Sequence, residues 1–200
     1  MSGSPPLVLA SQSASRRAML TAAGVAFEAT SSGVDEDAAK ASLAHLRPRD
    51  LADALAELKA VKVSARLPGR LVLGGDSVVA LAGGTVLDKP ETRDIAANHL
   101  ARMSGGVHDL FSAAVLAEDG RPVWRVVDRA RLHVRALSYT FIEWYLDHEW
   151  PAISGCVGCF RLESLGPQLF NRVEGDSFTV LGLPLFPVLD ALRTRGRVLS

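Results

Sequence analysis

The chain has 200 residues, 48% of them hydrophobic, and its 22 basic and 22 acidic residues cancel to a formal charge of zero. A chain of this length buries roughly 70% of the surface that it exposes when unfolded, so this composition excludes an intrinsically disordered protein. The zero net charge argues against binding of DNA, RNA or an anionic membrane through a broad basic surface, but it leaves room for a local basic pocket that holds one polyanionic ligand.

The first part of the chain predicts strands that alternate with helices. An apolar strand over Leu7–Ala10 leads through a polar turn into a helix over residues 14–23, which Gly24 ends in the cap position. A second short strand near Phe27 precedes an acidic loop over residues 35–37. After Pro48, leucines spaced by four and three residues predict an amphipathic helix of about 15 residues.

The strongest strand signal is the apolar run over residues 71–81, which predicts a buried strand of the sheet. Gly83-Gly84 then turns the chain into a hairpin partner at Val86-Leu87. The remaining predicted elements are helix 92–103, strands 109–117 and 123–137, helix 138–149, a loop beyond Pro151, and helix 185–195. This order predicts an α/β fold with a mixed, twisted sheet flanked by helices, and the missing linker predicts one domain over residues 1–200.

The cellular location follows from what the sequence lacks. No apolar run reaches the length of about 18 residues that a bilayer span requires, and residues 1–6 have neither a basic start nor an apolar signal core. Two cysteines, Cys156 and Cys159, fit a reducing compartment. We therefore expect a soluble, cytoplasmic protein that does not contact a membrane.

A phosphate site is predicted at the start of the first helix, where Ser11, Ser13, Arg16 and Arg17 lie. Free backbone N–H groups and two guanidinium groups favour an anion there, although a serine cap with solvent-facing arginines gives the same pattern. Lys89, held extended before Pro90, and Lys59 could reach a polyphosphate as point charges, but such lysines are also found simply in solvent.

Acidic residues near strand ends suggest a metal or a water-activating group. Asp76 follows a buried run beside Gly74-Gly75, and Asp35 and Glu36 lie in a loop after another strand. Mg²⁺ prefers a few carboxylates together with substrate phosphate oxygens, while the alternative is that these acids only cap turns.

Cys156-Val-Gly-Cys159 could be a redox pair or half of a zinc site. There is no second C-x-x-C in the sequence, and His148 is the only histidine nearby. We interpret the pair as two inert thiols, and the five scattered histidines as surface or core residues.

Eight short segments occur in an order that is specific as a set. They are Leu9-Ala-Ser-Gln-Ser13 with Arg16-Arg17, Val34-Asp-Glu36, Lys59-Ala60, Gly74-Gly-Asp-Ser-Val-Val79, Lys89-Pro90, Ser104-Gly105 with His108, Gly158-Cys-Phe160 and Gly182-Leu-Pro-Leu185. On these segments the chain, from Leu7 to about Arg195, resembles the Maf family of nucleoside triphosphate pyrophosphatases.

The resemblance implies an inosine triphosphatase-like α/β fold with two lobes around a cleft, and a homodimer. It also implies cleavage of a nucleoside triphosphate between the α- and β-phosphates, releasing a nucleoside monophosphate and pyrophosphate with the help of Mg²⁺, Mn²⁺ or Co²⁺. Carried over to this sequence, Asp76 becomes the general base and holds the metal with Glu36. The residues implied to contact the triphosphate are Ser11, Arg16, Lys59 and Lys89, and Arg17 is expected to bind substrate as well.

Base selection is implied to lie at Ser15, Ser77 and Glu163. Subfamilies acting on dTTP and UTP have Arg, Thr and Gln at these positions, and the 7-methyl-GTP subfamily has Trp, Gln and Glu. The segment from Gly158 to Phe170 resembles the 7-methyl-GTP group, and a carboxylate at Glu163 can accept hydrogen bonds from guanine N1–H and its 2-amino group. We therefore expect a purine or modified purine.

Two other functions are compatible with the sequence. A nucleotide-binding regulator of septum formation would bind nucleotide without turnover, and a redox protein would use Cys156 and Cys159 without need of Asp76.

Overall fold

The computed structural model describes residues 5–199, and its elements follow in chain order. The strands are β1 (Leu7–Leu9), β2 (Phe27–Ala29), β3 (Val72–Leu81), β4 (Val86–Leu87), β5 (Val107–Glu118), β6 (Arg121–Val134) and β7 (Phe170–Glu174). The α-helices are α1 (Ala14–Ala22), α2 (Glu36–Ser42), α3 (Pro48–Ser64), α4 (Arg93–Met103), α5 (Tyr139–Glu149), α6 (Ser177–Val180) and α7 (Leu185–Thr194), and a 3-10 turn covers Gly166–Leu169. Across residues 5–199, no helix is both long enough and apolar enough to cross a bilayer.

The strands form a mixed sheet in the order β2-β1-β3-β5-β6-β7, with β4 beside β3. β1 runs parallel to both β2 and β3, whereas β3 and β4, and also β6 and β7, are antiparallel. β3 is buried along nearly its whole length, as its apolar run predicts for a strand with neighbours on both sides. The predicted α/β class and mixed sheet are confirmed.

Two segments predicted as loops contain regular structure. The prediction of an acidic loop over residues 35–37 is wrong. The side chain of Asp35 accepts a hydrogen bond from the backbone N–H of Ala38 and caps α2. Glu36 and Asp37 then lie in the first helical turn, where the helix dipole favours negative charge. The predicted loop beyond Pro151 contains the 3-10 turn, β7 and α6.

The described residues group into two compact units. The first consists of the chain up to Ser77, Ser112–Asp128 and the chain from Gly182 onward. Its sheet contains β1, which is buried on both faces, and a small apolar cluster forms around it. That cluster consists of Val8, Ala10, Val63 and Val72, with Leu67 packed against it.

The second unit consists of Val78–Phe111 and Arg129–Leu181 and has a larger core. α4 packs against α5, and Tyr145 of α5 is completely buried. The hydroxyl of Tyr145 donates a hydrogen bond of 3.1 Å to the carbonyl of Cys159, so the largest buried side chain also satisfies its polar atom. The predicted single domain and the predicted cleft stay predictions.

His108 of β5 is buried in the second unit beside two aromatic rings. Its ring centroid lies 6.3 Å from that of Phe160 and 6.1 Å from that of Phe170. Neither ring nitrogen has a hydrogen-bond partner within residues 5–199. Burial therefore lowers the pKa of His108 to about 4, and the charge of Asp109 offsets only part of this effect.

We expect His108 to make the protein less stable in mild acid. Because its pKa of about 4 in the folded state lies below the ordinary value of 6.5, the unfolded state binds more protons between these pH values. The contribution of His108 to the free energy of unfolding is fully present above pH 6.5 and is lost as the pH falls towards 4. The loss amounts to about 3 kcal/mol. His108→Phe should flatten the free energy of unfolding in this range, as measured by urea titration at each pH.

The matched control is His45→Phe, because His45 is exposed. This variant should keep the wild-type dependence of stability on pH. A His108→Phe variant with an equally steep dependence would contradict the assignment to His108.

Candidate active site

A buried lysine that contacts two carboxylates forms the centre of the candidate site in the first unit. Nζ of Lys59 lies 2.6 Å from Oδ1 of Asp76 and 2.7 Å from Oε1 of Glu36. Lys59 is 5% exposed and Asp76 is 7% exposed, whereas Glu36 is half-buried. Because both carboxylate oxygens contact the same nitrogen, the distance between these oxygens cannot exceed the sum of the two contact distances. The structure thus brings Glu36, Lys59 and Asp76 to one point.

The close packing of α3 on β3 places Lys59 against Asp76. A Cβ atom on Gly74 would lie 2.4 Å from the carbonyl oxygen of Ala56 and 2.7 Å from the backbone nitrogen of Ala60. Only a residue without a side chain fits there, and the small Ala56 and Ala60 let the helix approach the strand. Lys59 precedes Ala60, and Asp76 follows Gly74 by two residues. The contact between Gly74 and α3 therefore fixes the distance between the backbones of Lys59 and Asp76.

The segment that carries Glu36 is fixed by a second lysine on the same side of α3. Nζ of Lys62 donates a hydrogen bond to the carbonyl of Gly33, just before the Asp35 cap of α2. Lys59 and Lys62 lie three residues apart, on one face of α3. This face therefore contacts both Gly33, which precedes α2, and Glu36 in the first turn of α2. The sequence alone gave Lys62 no role.

Arg16 is a buried cation at the start of α1, and its hydrogen bonds go to protein groups. Its Nε donates to the carbonyl of Gly182 at 2.7 Å, and its Nη1 donates to Oγ of Ser11 at 3.4 Å. Burial lowers the pKa of Arg16, while the negative charges of Asp76 and Glu36 raise it. The same two acids therefore compensate a second cation.

Two serine hydroxyl groups extend the contacts of Arg16. Its Nη2 donates to Oγ of Ser77 at 3.0 Å, and Oγ of Ser77 lies 2.9 Å from Oγ of Ser112. A Cβ atom on Gly182 would lie 3.3 Å from the Ser77 hydroxyl, so a side chain at position 182 would crowd that hydroxyl. Ser112 was not predicted, because its position on β5 gives no local signal of a partner on β3.

The other predicted residues of α1 lie in its first turn. Ser15 is half-buried and Arg17 is exposed. Ser13 caps the helix by accepting a hydrogen bond from the backbone N–H of Arg16 at 3.4 Å. The serine-cap interpretation thus holds for Ser13, whereas Arg16 does not face solvent.

Lys89 and Glu163 lie in the second unit, and both side chains are exposed. Burial and the negative charge of Glu163 raise the pKa of the Cys156 thiol, and the charges of Arg161 and Lys89 oppose this. The charges of the predicted phosphate-binding lysine and of the predicted base-binding acid thus both act on this thiol.

The comparison with known proteins identifies the family. The family model described as Maf-like protein matches residues 6–195. The chain belongs to the Maf family. A relative from Sphingopyxis alaskensis, named nucleoside triphosphate pyrophosphatase, is 54% identical over 192 residues, which cover 95% of this chain and 97% of the relative. A relative of the same name from Caulobacter vibrioides is 52% identical over 193 residues, which cover 96% of each chain.

Among solved structures, a HAM1 protein from Coxiella burnetii is similar with a TM-score of 0.45 and 14% sequence identity. The match covers 64% of the Maf chain and 72% of that protein.

Glu36 and Asp76 are ligands of the type that a divalent cation prefers. Among residues 5–199, no group of three or more His, Cys, Asp or Glu side chains is placed to hold a metal ion. Two neighbouring carboxylates are nevertheless enough for Mg²⁺, which commonly takes one or two carboxylates and completes its coordination with water and phosphate oxygens. The contact of both acids with one ammonium shows that they can face a single positive charge.

The two cysteines of the Maf chain are free, and their environment favours the neutral thiol. Burial raises the pKa of Cys159 to about 12, and its Sγ lies 3.7 Å from Nδ1 of His99. Burial also raises the pKa of Cys156. Since the thiolate is the reactive form, these shifts support the interpretation of two inert thiols.

We expect Gly74→Ala to destabilise the Maf chain, because the added methyl group would overlap the backbone of α3. Overpacking of this kind costs about 1–3 kcal/mol, and it should also move Lys59 away from Asp76. Urea unfolding measures the loss. Gly155→Ala is the control, since a Cβ atom there meets nothing within 4 Å. Equal stability of Gly74→Ala and the wild type would show that α3 is not held this closely.

Proposed function

We propose that this chain hydrolyses a nucleoside triphosphate between its α- and β-phosphates and releases a nucleoside monophosphate and pyrophosphate. The observation that carries the proposal is the contact of buried Lys59 with buried Asp76 and half-buried Glu36, with Arg16 in the electrostatic field of the two acids. Relatives more than 50% identical over nearly their whole length are named nucleoside triphosphate pyrophosphatase. A family match from residue 6 to residue 195 supports carrying this activity to the whole described chain.

Asp76 acts as the general base in this proposal. Lys59 contacts Oδ1, which fixes the carboxylate on its strand. The other oxygen takes a proton from the attacking water as a new bond forms to the α-phosphorus and the bond to the bridging oxygen breaks. Pyrophosphate leaves, and the positive charges of the site stabilise it.

Glu36 and Asp76 would hold a divalent cation, Mg²⁺, Mn²⁺ or Co²⁺. When bound, such an ion supplies Lewis acidity and neutralises phosphate charge. The charge balance of the cluster supports this requirement, because two acids already compensate the two cations Lys59 and Arg16. A triphosphate adds several negative charges, so further positive charge is needed to hold it.

Substrate contacts complete the proposal. Lys89 and Arg17 have exposed side chains and bind the phosphates in this proposal. Ser11 and Arg16 are joined by a hydrogen bond at the start of α1. Glu163 accepts hydrogen bonds from the N1–H and 2-amino groups of a guanine, and Ser15 and Ser77 contribute to base selection. We favour a purine triphosphate, with 7-methyl-GTP as a candidate. A homodimer in the cytoplasm is part of the same proposal.

The test is a panel of nucleoside triphosphates assayed for release of pyrophosphate. GTP, 7-methyl-GTP, ATP, dTTP and UTP are each supplied with Mg²⁺, Mn²⁺ or Co²⁺, and the nucleotide product is identified by chromatography. In water enriched in ¹⁸O, attack at the α-phosphorus should place the label in the nucleoside monophosphate. Tight nucleotide binding without release of pyrophosphate would instead favour a nucleotide-binding regulator.

We expect Asp76→Asn to lower kcat by about 10²- to 10⁴-fold, the usual contribution of a general base. The substitution also removes a charge from a buried ion pair, so circular dichroism must first show that the variant is folded. Asp50→Asn is the control, because Asp50 lies on α3 and pairs with exposed Arg47. A folded Asp76→Asn variant with near-full activity would exclude Asp76 as the base.

We expect Glu36→Gln to weaken metal binding whether or not substrate is turned over. Titration of Mn²⁺ followed by electron paramagnetic resonance measures the free ion directly. Loss of one of two carboxylate ligands should raise Kd by roughly tenfold or more, since ionised oxygens are the ligands that such cations prefer. Glu28→Gln, on the surface of the same unit, should leave Kd unchanged. An unchanged Kd in Glu36→Gln would remove Glu36 from the metal site.

A further inference from the structure

Glu149 is a buried carboxylate that no step of the proposed reaction uses. It is the last residue of α5, and its side chain is only 2% exposed. A negative charge at the C-terminal end of a helix is unfavourable, because the helix dipole is negative there. Removing a charge from water is also costly unless it is fully compensated. A carboxylate in this position therefore requires strong partners.

Four hydrogen bonds to this carboxylate come from one short turn, residues 161–165. Oε2 accepts hydrogen bonds from Nε and Nη2 of Arg161 at 3.0 and 2.9 Å. Oε1 accepts from the hydroxyl of Ser164 at 2.5 Å and from the backbone N–H of Leu165 at 3.3 Å. Burial would raise the pKa of Glu149, but the hydrogen bonds from Ser164, Arg161 and the Leu165 backbone outweigh it and lower that pKa.

The turn is also closed by its own backbone. The N–H groups of Ser164 and Gly166 both donate to the carbonyl of Arg161, at 3.2 and 3.1 Å. A Cβ atom on Gly166 would lie 2.3 Å from that same carbonyl oxygen, so only glycine fits. The hydrogen bonds of Glu149 thus hold a turn whose backbone is already tightly closed.

Glu163 lies inside this turn, between the anchored Arg161 and Ser164, and its side chain is exposed. Its charge acts on the Cys156 thiol, as does that of Lys89. The backbone is therefore held on both sides of Glu163 while its carboxylate points towards solvent. This arrangement suits a side chain that must meet a ligand in one orientation.

We propose that Glu149 is a positioning residue for base recognition, which it achieves by fixing the turn that presents Glu163. This inference rests on the proposed function, in which Glu163 binds the base. Glu149 itself touches neither substrate nor reacting atoms, so its loss should change selection between bases more than the chemical step. A misplacement of about 1 Å in a recognition group is enough for a large loss.

The experiment compares kcat/KM for GTP and ATP in Glu149→Gln and in the wild type. Gln keeps the shape of the side chain but removes the charge that holds Arg161. We expect the GTP/ATP ratio to fall about tenfold, mainly through KM for GTP. Glu163→Gln should have a similar effect, and the double variant should lose little more than either single variant.

Glu143→Gln is the matched control, because it makes the same change on the same helix and Glu143 pairs only with Arg93 among the contacts recorded for its carboxylate. It should leave the ratio unchanged. Hydrogen exchange gives a readout besides activity, since the Leu165 amide should exchange faster in Glu149→Gln only. If Glu149→Gln does not fold, Ser164→Ala removes one donor at an exposed position and should lower the ratio about threefold.

The outcomes separate the two proposals. A wild type that releases no pyrophosphate from any triphosphate overturns the proposed function. A wild type that hydrolyses triphosphates, with a GTP/ATP ratio that Glu149→Gln and Ser164→Ala leave unchanged, overturns the positioning role alone. An equal loss of activity on both nucleotides shows a merely structural role and overturns it as well.

Discussion

The ammonium of Lys59 lies between two carboxylates, and the first unit depends on this contact. Its three members come from α2, α3 and β3, so one ion cluster joins two helices to the sheet. Removing Asp76 leaves the buried ammonium of Lys59 without full compensation, which is more costly than losing an exposed ion pair. The geometry of the site and the packing of the unit are therefore one constraint, set by the close approach of α3 to Gly74.

The same constraint explains why Arg16 can be buried nearby. Its guanidinium is removed from water, and the charges of Asp76 and Glu36 offset part of that loss. Its hydrogen bonds to Ser11, Ser77 and Gly182 make it a structural cation of the site. In the proposed function, a polyphosphate would meet the long-range field of Arg16.

The sequence predicts features with a local cause and misses those that depend on distant contacts. Gly24 ends α1 and the Gly83-Gly84 turn joins β3 to β4, because left-handed backbone favours glycine whatever lies around it. α2 was missed although its signal is present in the Asp35 cap, since a seven-residue exposed helix has no apolar face to show periodicity.

The candidate site divides in the same way. Its acids and lysines stand out by residue type, and the family resemblance selects among them. By contrast, nothing near Ser112 indicates its contact with Ser77, 35 residues away, and nothing near Glu149 indicates the turn that it anchors. Hydrogen bonds of this kind are set by the register of the sheet and the path of the loop, which a single sequence does not specify.

Lys59 and Glu149 together suggest how this chain uses buried charge. Each occupies a position where an apolar side chain would avoid a desolvation penalty, and each contacts partners from a separate segment. An apolar contact tolerates sliding, since it has no preferred direction, whereas a carboxylate with donors on both oxygens allows one arrangement. Such a directional restraint fixes the orientation of a side chain, which apolar packing alone does not. Within each compact unit a buried ion pair therefore holds a neighbouring segment in place, the start of α2 in the first unit and the turn over residues 161–165 in the second.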